Sequence, residues 1–320
     1  VDSDIKRITD LGVDIQCNHK VEESPEDLLD SGYSAVYVAC GFVHDARLNI
    51  EGSQTPGVIG ALEFLNQQAK GASTRLGDHV IVIGGGNTAM DAARTSQRLT
   101  GNPATVVYRR TQAEMPAEEE ELHDLLLEGN RIEELAIPNR VLAEQGKVAG
   151  LECLRAKLGE PGAVGRRRPV PIEGSEFVVP ASTVILAIGQ QADTGFLTQS
   201  TIATRERDGG IDVRDAGHTT LNKVYAGGDI TRGPAIIIAA CADGRNAAAD
   251  ICLQLDVEFH APNLPEFGLD DVDWGALKAC RAQQSAQRQP SVLDASLRNA
   301  FDLVEASFTQ DEAITEANRC

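Results

Sequence analysis

Val80-Ile81-Val82-Ile83 is a continuous β-branched run, the pattern of a strand covered on both faces in a parallel sheet. Residues 79 to 110 then predict a strand, a glycine turn, a helix and a second strand ending in arginines. Upstream, the pattern predicts a helix over Ile5 to Leu11, a strand at Val13 to Cys17, a short helix capped near Ser24-Pro25, and a strand from Ala35 to Ala39 closing on Cys40-Gly41. Residues 58 to 68 read as a helix, as do Glu118 to Leu127, where acids fill the first turn and suit the helix dipole. Val141 to Cys153 reads as a strand pair turning at Gln145-Gly146, followed by a Gly, Pro and Arg-rich connection at 158 to 169. Strands over 176 to 188 end at Ile185-Leu186-Ala187-Ile188-Gly189. After a loop come strands Ile211 to Val213 and Val224 to Ala226, then a small-residue helix from Ala235 to Leu253. Beyond about residue 256, Pro262-Asn263-Leu264-Pro265 reads as a linker. Leu277 to Ala286 and Asp311 to Asn318 read as polar surface helices, with a solvated Gln-rich stretch at 283 to 289 and no internal repeat.

The glycine turn carries the first chemistry. In Gly84-Gly85-Gly86-Asn87-Thr88-Ala89, Gly84 and Gly86 permit a tight turn and let the backbone approach a pyrophosphate, while Ala89 is the small residue where helix meets strand. Asn87 or Thr88 can cap the helix, whose first N–H groups face the phosphates. An NAD site expects an acid at the end of the second strand, on the ribose 2′-hydroxyl. Tyr108-Arg109-Arg110 stands there instead, and guanidinium forks match a 2′-phosphate, so the cofactor read from this unit is NADPH.

Length and composition narrow the class. A chain of 320 residues suggests about two domains. With 42% hydrophobic residues, 30 glycines and only 4% aromatics, it fits an α/β protein with backbone-lined sites. The formal net charge of −19, from 48 acids against 29 bases, argues against nucleic acid or an anionic membrane surface as partner. No apolar stretch reaches the length of a membrane span, and no secretory signal is visible. The seven cysteines include no closely spaced pair, so neither a dithiol redox centre nor a zinc site is indicated, and the scattered set reads as a reduced, cytoplasmic protein. The chain opens on Val1 already inside a helical segment and reads as a piece of something longer.

A second site is suggested by Tyr225-Ala226-Gly227-Gly228-Asp229, a strand end ahead of a helix beginning near Ala235. A carboxylate there accepts from ligand hydroxyls, and the helix N-terminus favours negative charge. A capped strand-to-helix turn would give the same residues.

Together, Gly84 to Arg94, Val107-Tyr108-Arg109-Arg110, Glu114-Met115-Pro116-Ala117, Gly165-Arg166-Arg167-Arg168-Pro169-Val170 and Ala226-Gly227-Gly228-Asp229 resemble the small subunit of NADPH-dependent glutamate synthase. The same module is similar to the reductase half of dihydropyrimidine dehydrogenase and to related FAD/NAD(P)-dependent, pyridine nucleotide-disulfide oxidoreductase-like iron–sulfur enzymes. The resemblance covers roughly residues 1 to 255. It implies an α/β chain of two Rossmann-like three-layer domains, with an NADPH domain (51–189) inserted in an FAD domain (1–50 and 190–255). A linker and helical tail over 256–320 would lead toward an iron–sulfur segment. By that resemblance Gly84 to Ala89 hold the NADPH pyrophosphate and Arg109 and Arg110 its 2′-phosphate. Asp229, with Gly228, contacts FAD, the helix from Ala235 faces the flavin, and Ala39-Cys40-Gly41 and Ala187-Ile188-Gly189 join the domains. The family's earlier glycine fingerprint for FAD is missing from these residues, so the chain reads as a fragment without it. Cys320 resembles a truncated ligand of a [4Fe-4S] cluster of the full-length parent, although a single thiolate holds no cluster and a solvent-exposed C-terminal cysteine is an equal reading.

Other candidates carry less. The acids at 118–121 are explained by the helix dipole, and Arg166-Arg167-Arg168 reads as a solvated loop with phosphate contact as the alternative. His123 has no triad partner at a recognisable spacing, and Cys241 and Cys252 read as small hydrophobes. Hydride transfer between stacked rings needs no protein acid or base, so no catalytic residue is named. The resulting expectation is a module that moves hydride from NADPH to FAD and electrons onward to an iron–sulfur domain or subunit. The alternative is an NADPH-binding docking module without turnover.

Overall fold

A computed structural model describes residues 2–72, 74–162, 165–260, 273–276, 279 and 286–318. The chain begins with α1 (Asp2–Asp10), α2 (Pro25–Asp30), β1 (Val36–Val38) and the two-residue β2 (His44–Asp45). There follow β3 (Val58–Gly60), α3 (Ala61–Ala69), β4 (Val80–Ile83), α4 (Asn87–Thr100), β5 (Thr105–Val107), α5 (Glu119–Leu127) and β6 (Arg131–Glu133). Next come β7 (Ala136–Glu144), β8 (Lys147–Pro161), β9 (Arg167–Pro180), β10 (Thr183–Leu186) and β11 (Gln190–Gln191). The described elements end with β12 (Val224–Ala226), α6 (Asp229–Arg232), α7 (Ile237–Gln254) and a last helix, Gln310–Ala317. Two compact units emerge, residues 1–43 with 190–260 and residues 44–189 with 261–320.

The larger unit is built on a parallel sheet in the order β3-β10-β4-β5-β6. Alternation sorts its side chains between two cores. Val80, Val82, Val106 and Ile185 face α3, α4 and α5, packing on Phe64, Ala89, Met90 and Leu125. Ile81, Ile83, Val107, Val184 and Leu186 face the opposite way onto Val141, Val148, Leu151 and Cys153. Those partners belong to an antiparallel sheet, β7-β8-β9, so the unit has three layers. Its first hairpin turns at Gln145 (φ 52°) and Gly146 (φ 75°), the paired positive angles of a tight hairpin turn. Pro169 and Pro171 are tolerated because β9 is the outer strand, where a missing N–H breaks no inner ladder.

The smaller unit pairs β1 with β12 in parallel, Val36 opposite Val224 and Val38 opposite Ala226. Val38, Phe42, Leu197, Ile202, Ile211, Val224, Ala226 and Ile230 form its core. Ser24 and Asp27 close a reciprocal capping box on α2, as the sequence suggested.

Several expectations need correction. Val13 to Cys17 is exposed and forms no strand, since its alternation has no partner strand to pair with among the described residues. The first helix starts at Asp2, with acids in its first turn, rather than at Ile5. Residues 58 to 68 are not one helix: Val58–Gly60 pairs with β10, and the helix begins at Ala61, where Asp45 accepts from Leu62 and Glu63 N–H. Ile211 is buried in a loop with one isolated bridge to Thr204, so no strand spans 211–213. The 158–169 connection is mostly the ends of β8 and β9. The long helix starts at Ile237, because Ile236 is still extended (φ −79°, ψ 149°).

The boundary between the units falls after residue 43 rather than 50, since Asp45 caps α3 and Leu48 and Ile50 pack in the larger unit's second core. The tail joins that unit through Arg298, whose side chain is only 3% exposed. The expected helix over 277–286 lies largely outside the described residues, whereas Gln310–Ala317 forms with a Thr309 cap.

Candidate functional site

In the larger unit the glycine turn sits where β4 hands over to α4. Its three glycines answer to different constraints. Gly84 (φ 149°) lies so close to the neighbouring strand exit that a Cβ would fall 2.2 Å from the Ala187 carbonyl oxygen. At Gly85 a Cβ would meet the Tyr108 ring at 2.5 Å. Gly86 is different, because a Cβ there meets nothing closer than Pro116 Cγ at 3.9 Å. Protein packing therefore explains the first two glycines, while the third borders open space beside the helix start.

That start carries no side-chain cap. Gly86 is the N-cap of the fourteen-residue α4, and neither Asn87 nor Thr88 caps it. Asn87 instead accepts a hydrogen bond from Glu118 N–H (2.9 Å), and Ala117 N–H donates to the Gly85 carbonyl (3.1 Å). The Met115–Glu118 segment is thereby fastened beside the turn. A long helix with an uncapped, dipole-positive N-terminus facing space is suited to an anion. Ala89 is fully buried and lets α4 approach the sheet.

At the end of β5, Tyr108 is buried while Arg109 is exposed and Arg110 partly exposed. Tyr108 donates its hydroxyl to the Glu114 carbonyl (3.0 Å), and Arg110 Nε donates to the Arg167 carbonyl (2.6 Å). β5 is the strand next to β4, so the arginine pair lies at the same sheet end as the glycine turn. Gly189 (φ 131°) closes this unit's last segment, its carbonyl accepting from Ala46 N–H (3.0 Å).

The smaller unit holds a second cleft of about 290 Å³, lined by residues that include Tyr37, Ala39, Gly41, Gly228, Asp229 and Ala235. Gly228 adopts φ 73°, and a Cβ on Gly227 would fall 2.0 Å from the Tyr37 hydroxyl. Asp243 fixes the turn by accepting from Gly228 N–H (2.8 Å) and pairing with Arg232. Burial, with the Asp243 charge nearby, pushes the Tyr37 hydroxyl above its ordinary pKa, so it remains a neutral donor. Asp229 Oδ1 accepts from Ala235 N–H (3.2 Å), and among the described residues Oδ2 has no protein partner. Ile236, Ile237 and Ile238 are 68%, 83% and 69% exposed beside this cleft.

The sequence reading named Tyr108 without giving it a role, and missed Asp243 and the Ala117–Glu118 latch. An aromatic immediately before the arginines and a lone acid on a small-residue helix were the available signals. Cys241 is exposed rather than packed, because little of the described chain lies against the start of α7. Cys320 lies outside the described residues. Among the described residues there is no metal-ready group of three or more His, Cys, Asp or Glu, and no helix is long and apolar enough to cross a membrane.

A family profile, that of the pyridine nucleotide-disulphide oxidoreductases, matches residues 3–244. The chain belongs to the pyridine nucleotide-disulphide oxidoreductase family. Its relatives in that family include the "NADPH-Fe(3+) oxidoreductase subunit beta" of Geobacter sulfurreducens, 33% identical over 99% of this chain and 52% of the relative. The "Glutamate synthase [NADPH] small chain" of Escherichia coli is 35% identical over 78% of this chain and 56% of the relative. The chain thus spans about half the length of these relatives. The fold is also similar to that of Mycobacterium tuberculosis FprA, solved in complex with NADPH (TM-score 0.64, 21% identity, 75% of this chain and 68% of that one).

Proposed function

We propose that the full-length protein is a flavoprotein reductase module, with NADPH held by the larger unit and FAD by the smaller. When bound, the nicotinamide and flavin would supply hydride transfer, and a [4Fe-4S] cluster of a partner domain or subunit would accept the electrons, since no group of the described residues could hold one. The observation that carries this reading is Gly86, a glycine no protein packing requires, opening onto space at an uncapped helix N-terminus with Arg109 and Arg110 at the next strand end.

Each proposed residue has a physical task. Gly84 and Gly85 bring the turn close to the sheet, and Gly86 leaves room for the pyrophosphate beside the N–H groups of Asn87, Thr88 and Ala89. Arg109 and Arg110 neutralise the 2′-phosphate. Asp229 Oδ2 accepts from a flavin hydroxyl while Gly228 admits close backbone approach, and Ala235 opens the helix approach beside the ring. Gly189 supplies the bend where the two units meet in sequence. The cleft of about 290 Å³ lies at the lower end of the roughly 300–1,000 Å³ typical of ligand pockets. The thiols of Cys17, Cys40, Cys153, Cys241 and Cys252 are free, which supports a reducing, cytoplasmic setting.

Arg109→Glu with Arg110→Glu tests the cofactor assignment. A hydrogen bond to a charged group is worth about 1.5–3 kcal/mol, so NADPH binding should weaken by roughly ten- to hundredfold or more while NADH binding changes little. Equal losses for both nucleotides would overturn the reading.

A further inference from the structure

The run Arg166-Arg167-Arg168 is not a free loop. Arg166 leads into β9 and Arg167 and Arg168 open it, in the antiparallel layer of the larger unit, and this stretch is fastened to the segment leaving β5. Arg166 Nη2 donates to the Tyr108 hydroxyl (3.1 Å) and to the Glu114 carbonyl (3.1 Å), the same carbonyl that accepts from Tyr108. The Arg167 carbonyl accepts from Arg110 Nε (2.6 Å), and Arg167 Nε lies 3.5 Å from a Glu114 carboxylate oxygen. Tyr108 in turn packs on Gly85. The start of β9, the aromatic ring, the glycine turn and Arg110 are therefore one connected assembly.

Its charge is exceptional for this chain. Arg110 meets the Arg167 backbone and Arg167 lies beside the Glu114 carboxylate, with Arg109, Arg166 and Arg168 adjacent in the chain, in a protein whose formal net charge is −19. A chain of that sign repels a phosphate dianion everywhere except where bases are concentrated. The hairpin supplies more than half of the local positive charge and takes the Arg110 side chain out of free rotation.

We propose that the β8–β9 hairpin forms the second wall of the 2′-phosphate pocket. Arg166 is a positioning residue that locks Tyr108 and the Glu114 carbonyl so that Arg109 and Arg110 present their guanidinium groups. Arg167 and Arg168 raise the potential that draws in the dianion. The inference rests on the larger unit being the NADPH-binding unit.

Dissociation constants for NADPH and NADH, measured by titration on the full-length protein, test it. Arg166→Ala should weaken NADPH about tenfold and NADH by less than about twofold, consistent with loss of one charge-assisted contact set. Arg166→Lys keeps the charge but not the fork and should recover only part of the loss. Arg167→Ala with Arg168→Ala alters exposed side chains, and should flatten the salt dependence of NADPH binding while leaving that of NADH unchanged. Equal loss of both nucleotides in Arg166→Ala, or unchanged NADPH affinity and salt dependence across all three variants, overturns the proposal. Arg109→Glu with Arg110→Glu runs as a parallel arm. If that variant also fails to separate NADPH from NADH, the NADPH reading itself is wrong; if it separates them and the hairpin variants do not, only the hairpin role falls.

Discussion

Glu128→Gln removes the centre of a buried charge network between α4, α5 and the tail. The Glu128 side chain is 2% exposed and accepts from Arg94 (2.9 and 3.1 Å), Arg98 (3.0 and 3.2 Å) and Arg298 (3.3 Å). Glu121 and Asp124 remain to pair with Arg94 and Arg298, at 2.6 and 3.0 Å. Breaking a buried ion pair by removing one partner costs about 3–5 kcal/mol. Because two carboxylates survive, the loss belongs at the lower end, about 3 kcal/mol. For a unit of this size about 1 kcal/mol moves Tm by roughly 2–4 °C, so a fall of about 6–12 °C is expected.

Thermal unfolding followed by circular dichroism reads this directly. Burial alone raises the Glu128 pKa, but the hydrogen bonds and charges of Arg94 and Arg98 outweigh it and hold the carboxyl below its ordinary range. A depressed folded pKa gives stability that is fully present above the unfolded value, about 4.3, and is lost as pH falls through the folded one. The gap between wild type and variant should therefore be full at pH 7 and close at acid pH. A variant melting within about 1 °C of wild type at pH 7 would refute the reasoning, since uncompensated guanidinium groups would then cost nothing.

Further expectations concern the two turns. Gly84→Ala places a methyl 2.2 Å from the Ala187 carbonyl at φ 149° and should destabilise by about 2–4 kcal/mol in denaturant unfolding. Gly86→Ala meets only Pro116 Cγ at 3.9 Å, so stability should change by under about 1 kcal/mol, whereas NADPH affinity should fall at least tenfold by titration. Weak NADPH binding in neither variant would remove the turn from the nucleotide site. Asp229→Asn should keep the hydrogen bond from Ala235 N–H through its amide oxygen yet lower the flavin content of the purified full-length protein, read from its visible absorbance.

What the sequence made legible was local. Val80 to Ile83 has to be a doubly covered strand, and all four residues are buried between β10 and β5. Gln145-Gly146 has to be a tight turn, and both residues take positive φ. The glycine turn and the arginines after β5 were also readable, because spacing within one βαβ unit fixes their geometry. Val58–Gly60 escaped because three residues are too short for a periodic signal, and because its pairing with β10 joins residues far apart in the chain. Ile211 misled for the opposite reason: one buried isoleucine in a loop mimics part of a strand.

Side-chain partnerships across long separations were invisible. Nothing in the pattern couples Arg298 to Glu128, 170 residues earlier, or Arg166 to Tyr108, 58 residues earlier. The Asp243 bond to Gly228 likewise depends on α7 folding back over the turn. In each case a charged residue is held by a partner that only the fold brings near.

The most direct test is anaerobic titration of the full-length, flavin-loaded protein with NADPH while the visible flavin band is followed, with NADH in a parallel cuvette. Stoichiometric bleaching by NADPH, and much weaker bleaching by NADH at equal concentration, is the expected result. A flavin band that stays oxidised under excess NADPH would contradict the assignment of this chain as the electron entrance of a reductase.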